Sequence, residues 1–371
     1  MALTLYLNRS KWLAHLTRME DIYPDYLPVI KGNGYGFGNE FLADTVLGLR
    51  KSRVAVGTLE EARKLAAKQF DEIVILTPIV SGLELSDFTA NFVFTVGSFA
   101  QLEALTEKTG ALSGSIRIVI KCQSPMKRYG FPHGELAGLY AWIKKWNAAH
   151  QTVIDVLGFS LHFPLERLND RDKEQQISAW LADIAHHGFL CKRMFVSHLS
   201  PDTFKLLQNR YANLQLVMRV GTDLWLKEKS AYYARSRVLE IKPIARGERY
   251  GYKQKRAWRS GYLLYVAGGT ANGIGLEAPV HAKGLRDRLK LSAIWLLSLF
   301  NLYLSPFSFK GKRLWFAEPP HMQTCVLKLP HGFPLPKIGE EVAVRNIRMT
   351  IATFDQQVET GSVVGQSVAD D

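Results

Sequence analysis

Short runs of apolar, often β-branched residues recur along the first 225 positions, and longer segments with helical periodicity separate them. Such runs predict buried strands, whereas apolar residues spaced three or four apart predict amphipathic helices. One helix start is marked by Thr58 and Glu61, which form a capping box. Because alternating strands and helices give parallel strands with helical crossovers, the pattern predicts an α/β fold, a (β/α)8 TIM barrel. The predicted strands are 27–33, 54–57, 73–76, 92–96, 116–121, 157–163, 194–200 and 214–220.

The pattern changes near residue 233, where short strands separated by turn residues replace the long helical segments. This change predicts a β-rich C-terminal domain after the barrel. We therefore expect two domains, a barrel at 1–232 and a β-rich domain at 233–371. The first ten or so residues are expected to pack on the C-terminal domain.

The chain has 371 residues, with 47 Lys and Arg against 34 Asp and Glu, so its net charge is +13. Residues 226–260 alone hold eleven basic and three acidic residues, a local charge of +8. The composition, 47% hydrophobic, excludes a disordered chain and a small disulfide scaffold. The positive charge indicates an anionic partner such as nucleic acid, a membrane surface or a phosphate-bearing molecule. No nucleic-acid-binding motif accompanies it, so we predict no nucleic-acid partner.

The cysteine spacing and the N-terminal segment both favour a cytoplasmic protein. Cys122, Cys191 and Cys325 are odd in number and far apart, so we predict reduced thiols and no metal site. The first twenty residues lack a long apolar core followed by a cleavage site, so we predict no signal peptide.

One uncharged stretch, residues 291–309, approaches the length that spans a membrane. Four serines, an asparagine and a proline within it argue against a transmembrane helix. We therefore favour an interfacial or core helix, and we expect a peripheral membrane contact through this stretch.

Candidate catalytic residues are sought at the carboxyl ends of the barrel strands, where loops gather around the active sites of TIM barrels. Lys31 follows the first apolar strand and precedes a loop with four glycines. If partly buried, its amine has a lowered pKa, and a neutral amine attacks aldehydes to form Schiff bases. The alternative is a solvent-facing lysine beside a flexible turn.

Other strand ends carry polar side chains as well. A single such residue is more often structural, but several converging on one barrel mouth predict a site for an anionic ligand. The residues in question are Lys121, Arg128, His162, Ser200 and Arg219.

Five motifs, in the same order along the chain, resemble those of the alanine racemase family of fold-type III pyridoxal-phosphate enzymes. VIKGNGYGFG at 29–38 is similar to the family's VVKANAYGHG, and IKCQSPMKRYGF at 120–131 to LKVDTGMNRLGF. LGFSLHF, MRVGTDLWL and GERYGYKQ resemble GLMTHF, VRPGIALYG and GESVSYGA. The resemblance covers nearly the whole chain and includes the order of barrel and β-domain.

The resemblance implies an amino-acid racemase with pyridoxal 5'-phosphate as cofactor and two bases. Lys31 would hold the cofactor as a Schiff base and serve one face of the substrate. Tyr252 would serve the other face, donated by the partner subunit of a homodimer with shared active sites. Tyr250 is the competing candidate, although the spacing from the preceding Gly-Glu pair favours Tyr252.

The resemblance also implies roles for the remaining residues. Arg219 would face the pyridine nitrogen, and His162 would bond the catalytic tyrosine. Arg128 would contact the ring hydroxyl of the cofactor and the substrate carboxylate. Met322 would also contact that carboxylate, and Lys121, the candidate for carbamylation, would orient Arg128. The cofactor phosphate would be bound by Tyr35, Ser200, Gly221 and Thr222, with Trp225 in place of a family tyrosine.

Several positions depart from the family pattern, mainly at the substrate entrance. Residues 268–274, GGTANGI, lack the aromatic side chains of the family's GYADGY, and the flanks of Met322 differ as well. The strand-seven motif leaves two candidates for one position, Ser197 and Ser200. We therefore keep two alternatives, a racemase or epimerase of a different or larger substrate, and a cofactor-binding protein without racemase activity.

Overall fold

A computed structural model describes residues 2–107, 109, 114–277 and 282–361. The chain divides into two compact units, which we call the barrel unit and the C-terminal unit. The barrel unit is Leu16–Lys227, and the C-terminal unit combines Met1–His15 with Glu228–Asp371. The second boundary thus lies five residues before the position that the sequence pattern suggested.

The described residues contain strands and helices at the following positions. The strands are β1 (Leu3–Asn8), β2 (Leu27–Ile30), β3 (Arg53–Val56), β4 (Glu72–Ile75), β5 (Phe92–Val96), β6 (Gly114–Lys121), β7 (Thr152–Ser160), β8 (Arg193–Val196), β9 (Gln215–Val220), β10 (Tyr232–Ile244), β11 (Arg249–Tyr250), β12 (Lys255–Arg256), β13 (Gly261–Ala267), β14 (Leu304–Phe309), β15 (Lys312–Phe316), β16 (Thr324–Pro330), β17 (Glu341–Val344) and β18 (Gln356–Thr360). The helices are α1 (Arg9–Ile22), α2 (Asn39–Gly48), α3 (Leu59–Leu65), α4 (Phe99–Thr106), α5 (Leu136–Ala149), α6 (Asp170–His186), α7 (Pro201–Arg210), α8 (Thr222–Trp225) and α9 (Leu285–Leu299).

The barrel unit closes through eight parallel strands, β2 to β9, and confirms the predicted TIM barrel. Closure occurs between the first and last of these strands, where Leu27 pairs with Arg219. Valine, leucine, alanine and phenylalanine side chains fill the interior, as expected when a parallel sheet is covered by helices. Since every strand runs in one direction, all eight carboxyl ends lie at the same rim.

The C-terminal unit is built on one eight-stranded sheet in the order β13-β16-β15-β14-β17-β10-β1-β18. The N-terminal strand β1 pairs antiparallel with β10 and parallel with β18. A core of aliphatic and phenylalanine side chains packs around Leu3, Phe307 and Leu327. The first residues of the chain are therefore part of this β-rich unit.

The uncharged stretch at 291–309 is divided between two elements. Its first half belongs to helix α9, and its second half forms strand β14, which contains Pro306 and lies between β15 and β17. None of the side chains of α9 is buried, so this helix is not a core helix. Within the described residues, no helix is both long and apolar enough to cross a bilayer.

The three cysteines are free thiols, as predicted. Cys122 and Cys325 are buried and Cys191 is half-buried. Burial raises the pKa of Cys191 and of Cys325 to about 12, and it raises the pKa of Cys122 as well.

Candidate active site

Lys31 is the first residue after β2, at the start of a tightly folded glycine loop. The Gly34 N–H donates to the Lys31 carbonyl oxygen at 3.2 Å, and the Gly38 N–H donates to the Asn33 carbonyl oxygen at 3.2 Å. A Cβ atom on Gly34 would lie 2.6 Å from the Asn39 backbone nitrogen, so only glycine fits. The loop therefore fixes the backbone from which Lys31 projects.

Glu61 joins this loop to the next one. Its carboxylate accepts the N–H of Gly32 at 2.6 Å, the N–H of Gly57 at 2.6 Å and the N–H of Thr58 at 3.1 Å. Thr58 Oγ1 accepts the Glu61 N–H in return, which confirms the predicted capping box. The same carboxylate thus binds both the loop that follows β2 and the start of α3. The sequence predicted only the second of these contacts, the helix cap.

Tyr35, Gly221 and Thr222 come together at one side of the barrel mouth. Tyr35 is buried in a left-handed conformation with φ of 53°, and its side chain hydrogen-bonds Thr222. A Cβ atom on Gly221 would lie 2.3 Å from the Tyr35 hydroxyl oxygen. Burial raises the pKa of Tyr35, so this hydroxyl remains a neutral donor. The three residues form a polar position suited to a phosphate group.

Trp225 is the last residue of α8, the helix that begins at Thr222. Its indole Nε1–H donates to the Val29 carbonyl oxygen at 2.8 Å, and the side chain is fully buried. The donor that the sequence offered for a phosphate is therefore bonded to strand β2. Trp225 packs α8 against the strand that carries Lys31.

Arg219 projects from β9 and is paired with His162, which follows β7. Arg219 Nη2 lies 3.1 Å from His162 Nδ1. Burial, followed by the charges of Arg219 and Lys121, lowers the pKa of His162 to about 2. The imidazole is therefore neutral, with Nδ1 accepting from the guanidinium.

A second donor of Arg219 has no protein partner. Its Nε atom is buried and makes no hydrogen bond within the part of the chain that the structure describes. Burial lowers the pKa of Arg219 to about 10, so the guanidinium remains charged at neutral pH. A buried, charged donor without an acceptor is costly, which points to a ligand atom that accepts from it.

Lys31 and Lys121 share this cationic environment. Burial and the charges of Arg219 and Arg128 lower the pKa of Lys121 to about 7. The pKa of Lys31 is also lowered, by partial burial and then by Arg128 and Arg219, with Glu61 acting in the opposite direction. Arg128 and Arg219 thus each act electrostatically on both lysines.

Arg128 lies on the exposed loop after β6. The Phe131 N–H donates to the Lys121 carbonyl oxygen at 2.8 Å, and the Gln123 N–H donates to the Phe131 carbonyl oxygen at 2.9 Å. These bonds close the base of the loop. The Arg128 guanidinium rests over the Tyr129 ring, 5.2 Å from its centroid.

The two candidate serines after β8 have different surroundings. Ser197 is buried, and its Oγ accepts the Phe163 N–H at 3.2 Å. Ser200 is the N-cap of α7, where its Oγ accepts the Thr203 N–H at 3.3 Å. Ser197 therefore supports the strand end next to His162, whereas Ser200 lies at a helix start.

His198, between these serines, was not predicted as a site residue. Its ring centroid lies 5.1 Å from that of His162, and its backbone adopts a φ of 57°. Burial lowers its pKa, with smaller contributions from Arg219 and Lys31. The sequence showed a second histidine at a strand end, but hydrophobic periodicity alone cannot assign a role to it.

In the C-terminal unit, Tyr252 occupies the turn between β11 and β12. Its side chain is 85% exposed, and its backbone N–H donates to Glu318 Oε2 at 3.0 Å. The centroids of the Tyr252 and His321 rings are 5.1 Å apart. Tyr250 is buried, and its hydroxyl donates to the Ala317 carbonyl oxygen at 3.3 Å. Of the two tyrosines, only Tyr252 offers its hydroxyl to another molecule.

Met322 and the 268–274 segment lie side by side in the same unit. Met322 is exposed, and its carbonyl oxygen accepts the Ala271 N–H at 2.9 Å. A Cβ atom on Gly269 would lie 2.1 Å from the His321 carbonyl oxygen. The glycine therefore permits the two segments to touch.

Comparison with known sequences identifies relatives of the barrel. A family model described as the N-terminal domain of alanine racemase matches residues 8–228. The alanine racemase of Mycobacterium tuberculosis is 24% identical over 180 residues, 47% of this chain and 45% of the relative. That of Latilactobacillus sakei is 29% identical over 164 residues, 43% of this chain and 41% of the relative. The matched segment spans less than half the length of either relative.

The fold is similar to solved structures over almost the entire chain. The alanine racemase of Clostridium difficile 630 superposes with a TM-score of 0.68 at 16% identity, covering 98% of this chain and 96% of that one. This likeness extends from the barrel to the β-rich unit. Since the family model also matches more than half of the sequence, the chain belongs to the alanine racemase family.

Proposed function

We propose that this chain is a pyridoxal-phosphate-dependent amino-acid racemase that uses two bases, Lys31 and Tyr252. The observation that carries the proposal is the cluster of cations at the barrel mouth, next to the polar position formed by Tyr35, Gly221 and Thr222. An anionic cofactor and an amino-acid carboxylate are the ligands that such a cluster would bind.

The residues present fit pyridoxal phosphate. The buried Nε–H of Arg219 lacks an acceptor in the described protein, and the pyridine nitrogen is an acceptor. The Tyr35 hydroxyl and Thr222 would hold the phosphate, with Ser200 as a further candidate. When bound, the cofactor supplies an electron sink for the charge left after removal of the α-proton.

Lys31 would act as nucleophile and as one base. Its lowered pKa increases the fraction of neutral amine near pH 7, and only a neutral amine attacks an aldehyde or accepts a proton. The loop that Glu61 fixes would hold the amine on one face of the substrate. Arg219 cannot release its proton at neutral pH, so it would hold the ring nitrogen by hydrogen bonding alone.

Tyr252 would deliver a proton on the opposite face, from a second copy of the chain. The assignment is supported by the exposure of the Tyr252 side chain, in contrast to the buried Tyr250. His162, which the family resemblance pairs with this tyrosine, is neutral and bonded to Arg219 through Nδ1, so Nε2 carries its proton. The substrate carboxylate would be bound by Arg128 and the backbone of Met322.

Lys121 would orient Arg128. With a pKa of about 7, a large fraction of its amine is neutral at physiological pH, and a neutral amine combines with carbon dioxide to form a carbamate. Carbamylation would replace a positive charge with a negative one between Arg128 and Arg219 and so relieve their repulsion.

The test is the absorbance of the purified chain after incubation with pyridoxal phosphate. We expect a visible band that Lys31→Ala abolishes and that Lys64→Ala, which removes an exposed lysine, leaves intact. A wild-type chain without such a band would contradict the cofactor assignment. Deuterium exchange at the α-carbon across a panel of amino acids then separates a racemase from a binding protein and identifies the substrate, alanine or a larger one.

A further inference from the structure

The most exposed apolar surface of the described chain lies on helix α9 and the residues that follow it, 285–304. We call this the α9 surface. Eleven large apolar side chains between these positions are more than one-third exposed. They include Leu289, Ile294, Trp295, Leu296, Leu299 and Phe300, with Trp295 64% exposed. Soluble monomers rarely leave so many neighbouring apolar side chains in water, so this surface has an occupant.

The α9 surface is polarised along the helix axis. Arg286, Arg288 and Lys290 lie in the first turns and are exposed, whereas residues 291–304 carry no charge. Between residues 283 and 313 there are seven basic residues and one acidic residue. That acidic residue, Asp287, accepts the Lys283 N–H at 3.1 Å, just before the helix begins. A cationic band therefore adjoins the apolar one.

One residue of the basic segment 226–260 contacts the end of this surface. Lys255 Nζ donates to the Asn301 carbonyl oxygen at 3.1 Å, just beyond the end of α9. The next aromatic residue along that segment, Trp258, is 84% exposed. At least one cation of the basic segment thus lies next to the end of the apolar helix.

We propose that the α9 surface docks on an anionic lipid bilayer, with its apolar side chains at the acyl boundary and its basic residues among the headgroups. A helix of 15 residues is about 22 Å long, shorter than the hydrocarbon core of about 30 Å, so it would lie at the interface. Trp295 and Tyr303 are the residue types that favour this depth.

Charge decides between a bilayer and the other possible occupants. A second copy of this chain, itself at +13, would bring positive charge against the basic band. Nucleic acid would neutralise that band but would leave the leucine and tryptophan side chains in water. An anionic bilayer satisfies both parts of the surface.

Co-sedimentation of the full-length chain with lipid vesicles tests the proposal. We expect binding to vesicles of phosphatidylcholine and phosphatidylglycerol at a ratio of about 7:3, weak binding to phosphatidylcholine alone, and release by salt. Replacing the basic band, Arg286→Gln/Arg288→Gln/Lys290→Gln, should lower the vesicle affinity about 100-fold. The matched control removes three exposed lysines of the barrel unit, Lys144→Gln/Lys145→Gln/Lys205→Gln, and should change the affinity little.

The apolar part is tested with Trp295→Glu, which should lower vesicle affinity about tenfold or more. Leu190→Glu, at a comparably exposed apolar position of the barrel unit, is its control. Circular dichroism and racemase activity in solution should match wild type for both, because neither side chain is buried. The proposal is wrong if wild type ignores anionic vesicles, if both glutamate variants bind equally well, or if Trp295→Glu abolishes only self-association.

Discussion

Lysine and arginine occur at both the barrel mouth and the α9 surface, but burial separates the two regions. At the mouth, Lys121 and Arg219 are buried among like charges and have lowered pKa values. On α9, Arg286 and Arg288 are exposed and adjoin apolar side chains. Buried like charges indicate a small anionic ligand that completes the site, whereas exposed cations beside apolar residues indicate an extended anionic surface.

The two proposed bases differ in the same way. Lys31 projects from a loop that contains the buried Tyr35. The Glu61 carboxylate binds this loop through the Gly32 N–H and binds the next loop through two further hydrogen bonds. Tyr252 lies on an exposed turn held through its backbone by Glu318. The barrel itself positions the first proposed base, whereas the proposal assigns the surroundings of the second to another molecule. Four predictions test these comparisons.

The largest effect is expected from Tyr252→Phe, which removes the proposed second base. Racemisation should fall about 10³-fold, since a general acid or base contributes this much, while α-proton exchange on the Lys31 face continues. Chiral chromatography measures racemisation, and deuterium incorporation measures α-proton exchange. Tyr250→Phe is the matched control. It loses one buried hydrogen bond, costs about 1 kcal/mol of unfolding free energy, and should keep its activity.

Mixing variants sharpens this result. Lys31→Ala and Tyr252→Phe should each be nearly inactive alone, but a dimer with shared sites would restore one complete site per mixed pair. About one quarter of wild-type activity should return after equal mixing. No recovery in a mixture shown to form mixed dimers would contradict the shared site.

A smaller effect is expected from Gly221→Ala. The added Cβ would lie 2.3 Å from the Tyr35 hydroxyl oxygen and would displace it from the phosphate position. Because one hydrogen bond to a charged group is lost, the dissociation constant of pyridoxal phosphate should rise roughly 10- to 100-fold. Gly48→Ala, where no atom lies within 4 Å, is the control. If Tyr35→Phe binds the cofactor like wild type, the phosphate role of Tyr35 is wrong.

The smallest effect concerns Lys121 and pH. Its pKa is lowered from 10.5 to about 7 in the folded chain, so the unfolded chain binds more protons between these values. The free energy of unfolding should therefore rise with pH across this window, by at most about 1.4 kcal/mol per pH unit from this group. Urea unfolding in buffer free of carbon dioxide measures the slope. Lys121→Met should flatten it, and Lys64→Met should not. Equal slopes would show that burial does not perturb Lys121.

Much of the barrel could be predicted because its strands are short apolar runs between helical segments. The bounds are less certain where polar residues extend a strand. Strand β7 starts at Thr152, five residues before the predicted start. Its first residues alternate exposed positions, such as Val153 and Asp155, with buried ones, so they do not form a continuous apolar run. The predicted strand ends at 163 and 200 also overran, since those residues belong to the loops that carry His162 and Ser200.

The candidate site was predicted unevenly. Lys31 and Tyr35 stand in one local motif, so their position could be inferred from sequence. The pairing of Arg219 with His162 and the packing of His198 depend on strands far apart in the chain. Nor could sequence show that the Trp225 indole N–H bonds Val29, because this contact exists only when the barrel closes. Helix α9 was hard to assign for a related reason, since an apolar run does not reveal what covers it.

The raised pKa values of all three thiols have a practical consequence. Only a thiolate reacts readily with alkylating reagents, and the raised pKa values of Cys122, Cys191 and Cys325 keep these sulfurs protonated at neutral pH. The natural chain is therefore a nearly silent background for site-specific labelling. One cysteine introduced on the exposed side of α9 would carry a dye or a spin label by itself, without prior removal of the native cysteines.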